Sequence, residues 1–130
     1  MIRNLITIAA GGALGAVLRY LAMLSAQIFK EKTNIPVGTL VVNVAGCLAI
    51  GILATLGTRS RILTEESRNF LIVGVLGAFT TFSTFGYESV TLMQNGLKVS
   101  SLLNVVLQLG LGFTAVALGM NLGRWILARS

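Results

Sequence analysis

Residues 35–58 read IPVGTLVVNVAGCLAIGILATLGT, and this stretch decides the fold. None of its 24 residues carries a charge. A helix needs about 20 predominantly apolar residues to cross the hydrocarbon core of a bilayer. The stretch is therefore long enough and apolar enough to form a membrane-spanning helix.

Three further stretches have the same character. Residues 5–18 are uncharged and the apolar pattern resumes after Arg19, residues 69–87 are uncharged up to Glu88, and residues 99–123 are uncharged throughout. Short polar connections separate the stretches, and no linker divides the chain. The pattern predicts an all-α membrane protein, one transmembrane domain over residues 1–130 with four spans at about 4–29, 35–58, 69–94 and 99–126.

The composition supports a membrane protein rather than a soluble domain. The 130 residues are 55% hydrophobic and 11% charged, with a mean hydropathy of +0.86, whereas about a quarter of a soluble domain is charged. One Cys and no His exclude a disulfide within the chain and a histidine-based metal site or general base. We expect Cys47 to be inert packing.

The N-terminus imitates a signal peptide, because Arg3 precedes an apolar run. The run continues past Tyr20 without a convincing small-residue cleavage site, so we expect the first span to be retained. Four spans then place both termini on one side of the membrane.

The basic residues give only a weak orientation signal. One side of the predicted topology would hold Arg3, Arg59, Arg61, Arg68, Arg124 and Arg129, and the other Lys30, Lys32 and Lys98, with Arg19 nearer that end of its span. This bias favours the first side as cytoplasmic, but it is also what a protein inserting in both orientations would have. The net charge of +6 suits anionic lipid headgroups, and we expect no nucleic-acid partner.

Small and polar residues within the spans indicate packing and a site. Glycines at three- and four-residue spacing allow close helix contacts in lipid, which favours tight bundles and oligomers. The polar groups inside or at the edge of the spans are Arg19, Asn43, Glu88, Asn104 and Gln108. Ionisable groups within a membrane usually mark a site. Snorkelling or an ion pair remains an alternative for Arg19 and Glu88, and an interhelical hydrogen bond for Asn43.

The most unusual stretch is residues 77–86, which read GAFTTFSTFG. Phe79, Phe82 and Phe85 recur every three residues and share a helical face. Four hydroxyl side chains lie among them, and together with the glycines they permit a break in the middle of the third span. Such a break is tolerated only where it is buried or lines a cavity.

Three motifs in order resemble the Fluc (CrcB) fluoride channels over essentially the whole chain. They are GGALGAVLRY at residues 11–20, GTLVVNVAG at 38–46 and GAFTTFSTF at 77–85. The resemblance implies an antiparallel, dual-topology homodimer in the lipid bilayer, with two parallel pores along the subunit interface and a third helix broken at its centre.

The resemblance also implies roles for individual residues. Asn43, Phe82 and Phe85 match pore-lining residues, and Ser83 and Thr84 match the hydroxyl residues of the same motif. Gly77 and Thr80 match positions whose backbone carbonyls hold a structural sodium ion at the dimer centre. Arg19 matches a vestibule arginine, and Glu88 an acidic residue that supports the polar network. Asn104 and Gln108 stand where family members often have Tyr and Ser, and we place them on the fluoride pathway as polar replacements.

The implied function is passive export of fluoride across the inner or plasma membrane, which would confer fluoride resistance without an enzymatic activity. A small multidrug-type exporter is the alternative, since it also has four spans and a similar length. That class would need an acidic residue in the first span, where this chain has Arg19. A membrane-bound enzyme is a third class, but no His and four acidic residues leave no catalytic constellation.

Overall fold

The computed structural model describes residues 1–26, 34–59 and 63–129. Within these ranges the chain is helical, with no strand. The end of the predicted first span at 27–29, and the loop residues Lys30, Lys32 and Arg61, lie outside the described residues. The elements are α1 (Ile2–Ala26), α2 (Val37–Arg59), α3 (Glu65–Arg68), a π-helical segment (Asn69–Leu76), α4 (Gly77–Phe79), α5 (Phe82–Gln94) and α6 (Lys98–Leu127).

Four segments of the described chain are long and apolar enough to cross a membrane. They are Ile2–Ala26, Val37–Thr58, Glu65–Gln94 and Lys98–Leu127. The prediction of an all-α protein with four membrane-spanning helices is confirmed. The third segment is assembled from α3, the π-helical segment, α4 and α5 in succession.

Helical geometry is interrupted between α4 and α5. Thr80 has φ −81° and ψ 158°, and Thr81 has φ −152° and ψ 104°, so both have extended backbones. Thr81 then caps α5, because its hydroxyl oxygen accepts a hydrogen bond from the Thr84 N–H at 3.2 Å. Threonine is a favoured N-cap residue, so the local sequence supports a new helix start here.

Backbones approach each other closely where α1 crosses the π-helical segment. A Cβ added to Gly74 would lie 2.9 Å from the Cα of Gly11, and a Cβ on Gly11 would lie against the Phe70 carbonyl oxygen. The crossing therefore requires glycine on both helices. This is the small-residue contact by which helices associate in lipid.

The helices α2 and α6 form a second close pair. A Cβ on Gly119 would lie 3.1 Å from the Cα of Gly51. The buried stripe of α6 has polar side chains in its first half and small residues in its second half. It comprises Ser101, Asn104, Gln108, Gly112, Ala115, Gly119 and Gly123. One face of α6 thus serves both polar contacts and close packing.

Large apolar side chains lie mostly on the outside of this four-segment unit. Among the described residues, the buried hydrophobic ones are Val42 and Ala115, whereas Phe82, Phe113 and Trp125 are all more than half exposed. An apolar exterior of this extent suits contact with lipid or with another apolar protein surface. The interior of the unit is instead rich in buried polar side chains.

Candidate functional site

The side chain of Asn43 on α2 is bonded to the backbone of Thr81, where helical geometry is interrupted. The Thr81 N–H donates to Asn43 Oδ1 at 2.9 Å, and Asn43 Nδ2 donates to the Thr81 carbonyl oxygen at 3.2 Å. The carboxamide oxygen therefore replaces the acceptor that a continuous helix would give the Thr81 N–H, and its nitrogen adds a hydrogen bond to the Thr81 carbonyl, which as an N-cap also accepts the first bond of α5. Thr81 is 6% exposed, so its polar backbone groups need such partners.

Four backbone carbonyls, those of residues 77–80, lose their α-helical donors at this break, and for Gly77 and Thr80 the donor is bonded elsewhere. In a continuous α-helix the N–H of Thr81 would bond the Gly77 carbonyl, and that of Thr84 would bond the Thr80 carbonyl. Here the Thr81 N–H bonds Asn43, and the Thr84 N–H bonds the Thr81 hydroxyl. The N–H groups of Thr81 and Thr84 therefore do not bond the carbonyls of Gly77 and Thr80, and these two carbonyls remain available to another partner. Carbonyl oxygens are ligands that suit a hard cation.

Asn43 also bonds Gln108 on α6, through Nδ2 to Oε1 at 3.1 Å. Nδ2 has two N–H groups, and its two bonds account for both. Gln108 is 8% exposed, and its Nε2 is buried without a hydrogen-bond partner among the described residues. The free amide donor of this network is therefore on Gln108. The prediction that Asn43 donates to the pathway stays a prediction, and such donation would require one of its two bonds to open.

A groove of about 450 Å³ runs along this network. It is open on one side, and every described residue that lines it is uncharged. Asn43, Gly77, Thr80, Thr81 and Gln108 contribute to the lining, together with the rings of Phe82, Phe85 and Phe113. Six of the predicted site residues are therefore brought to one surface, from the second, third and fourth membrane-spanning segments.

The two predicted pathway rings lie at the start of α5. The Phe82 and Phe85 ring centroids are 5.6 Å apart, with an edge-to-face arrangement at 64°. Ser83 is exposed, whereas Thr84 is half-buried. The Thr84 hydroxyl oxygen accepts from the Thr81 hydroxyl at 2.7 Å, so Thr84 belongs to the capping network.

Comparison with known proteins identifies the family. A family model described as CrcB-like protein, Camphor Resistance (CrcB), matches residues 6–120. The chain belongs to the CrcB family.

Curated relatives cover nearly the whole chain. A protein of Chloroflexus aurantiacus named fluoride-specific ion channel FluC is 45% identical, over 94% of this chain and 96% of its own length. Proteins of the same name from Shewanella halifaxensis and Shewanella amazonensis are 47% and 48% identical, each over 92% of this chain and 94% of their own length. The predicted resemblance to the CrcB family is confirmed.

Asn104 takes part in a different polar cluster of this CrcB-family chain. Its Nδ2 donates to Ser89 Oγ at 2.9 Å, and Ser101 Oγ donates to the Ser89 carbonyl oxygen at 2.7 Å. Asn104 is 0% exposed, and its Oδ1 has no hydrogen-bond partner in the described part of the chain. Asn104 joins α5 to α6 and does not line the groove. Its place on a fluoride pathway stays a prediction.

The two predicted charged residues lie away from the groove. Glu88 Oε1 accepts from Thr39 Oγ1 at 2.8 Å, and both residues line a second cavity of about 420 Å³ near the start of α2. Arg19 is half-buried on α1 and lines neither cavity. Their vestibule and supporting roles stay predictions.

Sequence reasoning missed four residues that bond the predicted site residues of this CrcB protein. Thr81 bonds Asn43 where the helix is interrupted, and Thr39 bonds Glu88. Ser89 on α5 accepts from Asn104 and from Ser101, both on α6. Two signals were available. Thr81 precedes a helical stretch as an N-cap, and Ser101 shares the face of Asn104 and Gln108 at three- and seven-residue spacing.

Proposed function

We propose that this CrcB-family protein is a fluoride-selective channel of the inner or plasma membrane, through which fluoride leaves the cytoplasm passively. Its relatives are named fluoride-specific ion channels, and membership of this family makes it a channel and not an enzyme. The observation that carries the proposal is the buried Gln108 Nε2, an amide donor without a partner that adjoins a groove with an uncharged lining.

The chemistry of the groove suits a small anion. Hydrogen bonds to an ion are stronger than those between neutral groups, so an amide N–H can replace part of the hydration of fluoride. The positive edges of the Phe82 and Phe85 rings offer further weak contacts. Conduction requires an ion to bind well enough to enter and weakly enough to leave. Neutral donors and ring edges meet both requirements without the strong attraction of a fixed positive charge.

Liposomes that contain only the purified protein test this function. Loaded with fluoride and diluted into fluoride-free buffer, they should release fluoride at a rate proportional to protein content, as read with a fluoride electrode. Liposomes loaded with chloride are the control and should release little. Absence of fluoride release, or equal release of both anions, would contradict a fluoride-selective channel.

We also propose that the channel is an antiparallel homodimer with two pores. The groove is open on one side, and the exterior of the unit is apolar, so a second copy could close the groove. A cysteine at Asn95, in the turn between α5 and α6, reports orientation in a Cys47→Ser background. A membrane-impermeant thiol reagent added outside cells should label about half of the molecules. Complete labelling or none would contradict dual topology.

A sodium ion between the carbonyls of Gly77 and Thr80 is the third part of the proposal. The diverted N–H groups of Thr81 and Thr84 support it, because they leave these carbonyls available. When bound, the ion would offset the partial negative charges of the carbonyls and stabilise the extended backbone between α4 and α5. Sodium should then raise the midpoint of thermal unfolding relative to choline at equal ionic strength, and equal midpoints would contradict the site.

A further inference from the structure

The contacts of Asn43 assign it a task in addition to any contact with fluoride. Its carboxamide bonds both the N–H and the carbonyl of Thr81, whereas its two amide protons are already used within the chain. We propose that Asn43 is a positioning residue that keeps the Gly77 carbonyl available to a cation by holding the Thr81 N–H. This inference rests on the proposed cation site and explains what maintains it.

The argument depends on where the Thr81 N–H would go without Asn43. Thr81 is buried, and a buried N–H without an acceptor is unfavourable. The acceptor that an α-helix offers this N–H is the Gly77 carbonyl, four residues earlier. Removal of the Asn43 oxygen therefore favours closure of the helix by one hydrogen bond, and that bond occupies the carbonyl.

The Thr80 carbonyl is maintained independently. Its helical donor, the Thr84 N–H, is held by the Thr81 hydroxyl and not by Asn43. Loss of Asn43 should thus weaken a cation site by occupying the Gly77 carbonyl in each subunit. The Thr80 carbonyl should stay available.

The same side chain connects the cation site to the groove. Asn43 Nδ2 bonds Gln108 Oε1 at 3.1 Å, which fixes the Gln108 amide with its Nε2 as the free group. The oxygen of Asn43 thus accepts from the Thr81 N–H, whereas the nitrogen donates to the Thr81 carbonyl and to Gln108. Substitutions that keep only one of these atoms separate the two tasks.

Two variants of the full-length protein test the proposal. Asn43→Asp keeps an oxygen for the Thr81 N–H, whereas Asn43→Leu removes it at similar volume. Asn104→Leu is the matched control, because it removes a buried amide of the same size that does not contact Thr81. Apparent sodium affinity is read from the thermal unfolding midpoint as sodium chloride replaces choline chloride at constant ionic strength.

We expect Asn43→Asp and Asn104→Leu to keep the sodium affinity of the parent. Asn43→Leu should bind sodium about tenfold more weakly, the change expected when one ordinary hydrogen bond must break to free a ligand. Parental affinity in folded Asn43→Leu would overturn the inference while the cation site itself stands. If Asn43→Leu does not fold, the Asn43→Asp variant decides the question. An unfolding midpoint of Asn43→Asp that still rises with sodium supports the inference, and a midpoint that no longer responds to sodium would overturn it. A parent protein without sodium dependence would overturn the cation site and this inference together.

Discussion

Phe82 and Phe85 contact each other edge to face at 5.6 Å between centroids, yet they differ in burial. Phe82 is 80% exposed within the single chain, whereas Phe85 is half-buried. Core packing alone would bury both rings, and it does not account for a large aromatic side chain left on the surface beside an open groove. The pair fits a surface that an ion path or a second subunit completes.

The first prediction concerns these rings. Phe85→Leu should cost about 1 kcal/mol of stability, as core substitutions of similar size do. Phe82→Ile should change it by no more than about 0.5 kcal/mol, because Phe82 is exposed. If the ring edges face fluoride, both changes should block fluoride efflux from liposomes while the protein elutes at the parental volume. Phe70→Leu is the control, because Phe70 lies outside the groove lining. Parental efflux in both variants would leave packing as their only role.

The second prediction concerns the free amide of Gln108. Gln108→Leu should slow fluoride efflux about 10- to 100-fold, because a hydrogen bond to a charged group contributes about 1.5–3 kcal/mol. Gln108→Glu should slow it further, since a carboxylate offers only acceptors and repels an anion. Thr114→Val is the control on the same helix, because Thr114 does not line the groove and, among the described residues, its hydroxyl bonds only the Gly110 carbonyl. Efflux at the parental rate in Gln108→Leu would remove this residue from the pathway.

The third prediction concerns the α2–α6 contact. Gly119→Ala places a methyl group against the Leu48 carbonyl oxygen and 3.1 Å from the Gly51 Cα. Overpacking of this kind costs about 1–3 kcal/mol, so the thermal unfolding midpoint should fall. The methyl group of Gly110→Ala on the same helix would meet no atom of another described element within 4 Å, so this change should not lower the midpoint. Equal midpoints in the two variants would show that α2 and α6 can move apart to accept the methyl group without loss of stability.

The fourth prediction concerns the polar cluster between α5 and α6. Ser89→Ala removes the acceptor of Asn104 Nδ2 and leaves a buried amide unsatisfied, which costs about 1–3 kcal/mol. The unfolding midpoint should fall, whereas Ser25→Ala should leave it unchanged, because Ser25 is exposed and its hydroxyl bonds the carbonyl of Leu21 on its own helix. An unchanged midpoint in Ser89→Ala would mean that water replaces the lost bond.

The four membrane-spanning segments could be predicted from the sequence because length and hydropathy decide them one segment at a time. The hydrogen-bond partners of the polar residues could not be predicted, because these bonds join different membrane-spanning segments. Asn43 and Asn104 both lie inside apolar runs, yet Asn43 bonds residues 38 and 65 positions away, whereas Asn104 bonds Ser89. Glycine spacing likewise predicted close packing but not the pairing of Gly51 with Gly119, since no local pattern selects the partner helix.

The extended backbone at Thr80 and Thr81 has an electrostatic consequence. It divides one membrane-spanning segment into two helical dipoles, and it does so about midway along the Glu65–Gln94 segment. The helix that ends before the break presents the partial negative charge of its carbonyls, and α5 begins after it with the partial positive charge of its N–H groups. Two ions of opposite sign can therefore be favoured within a few residues of each other, although the described residues that line the groove carry no ionised side chain.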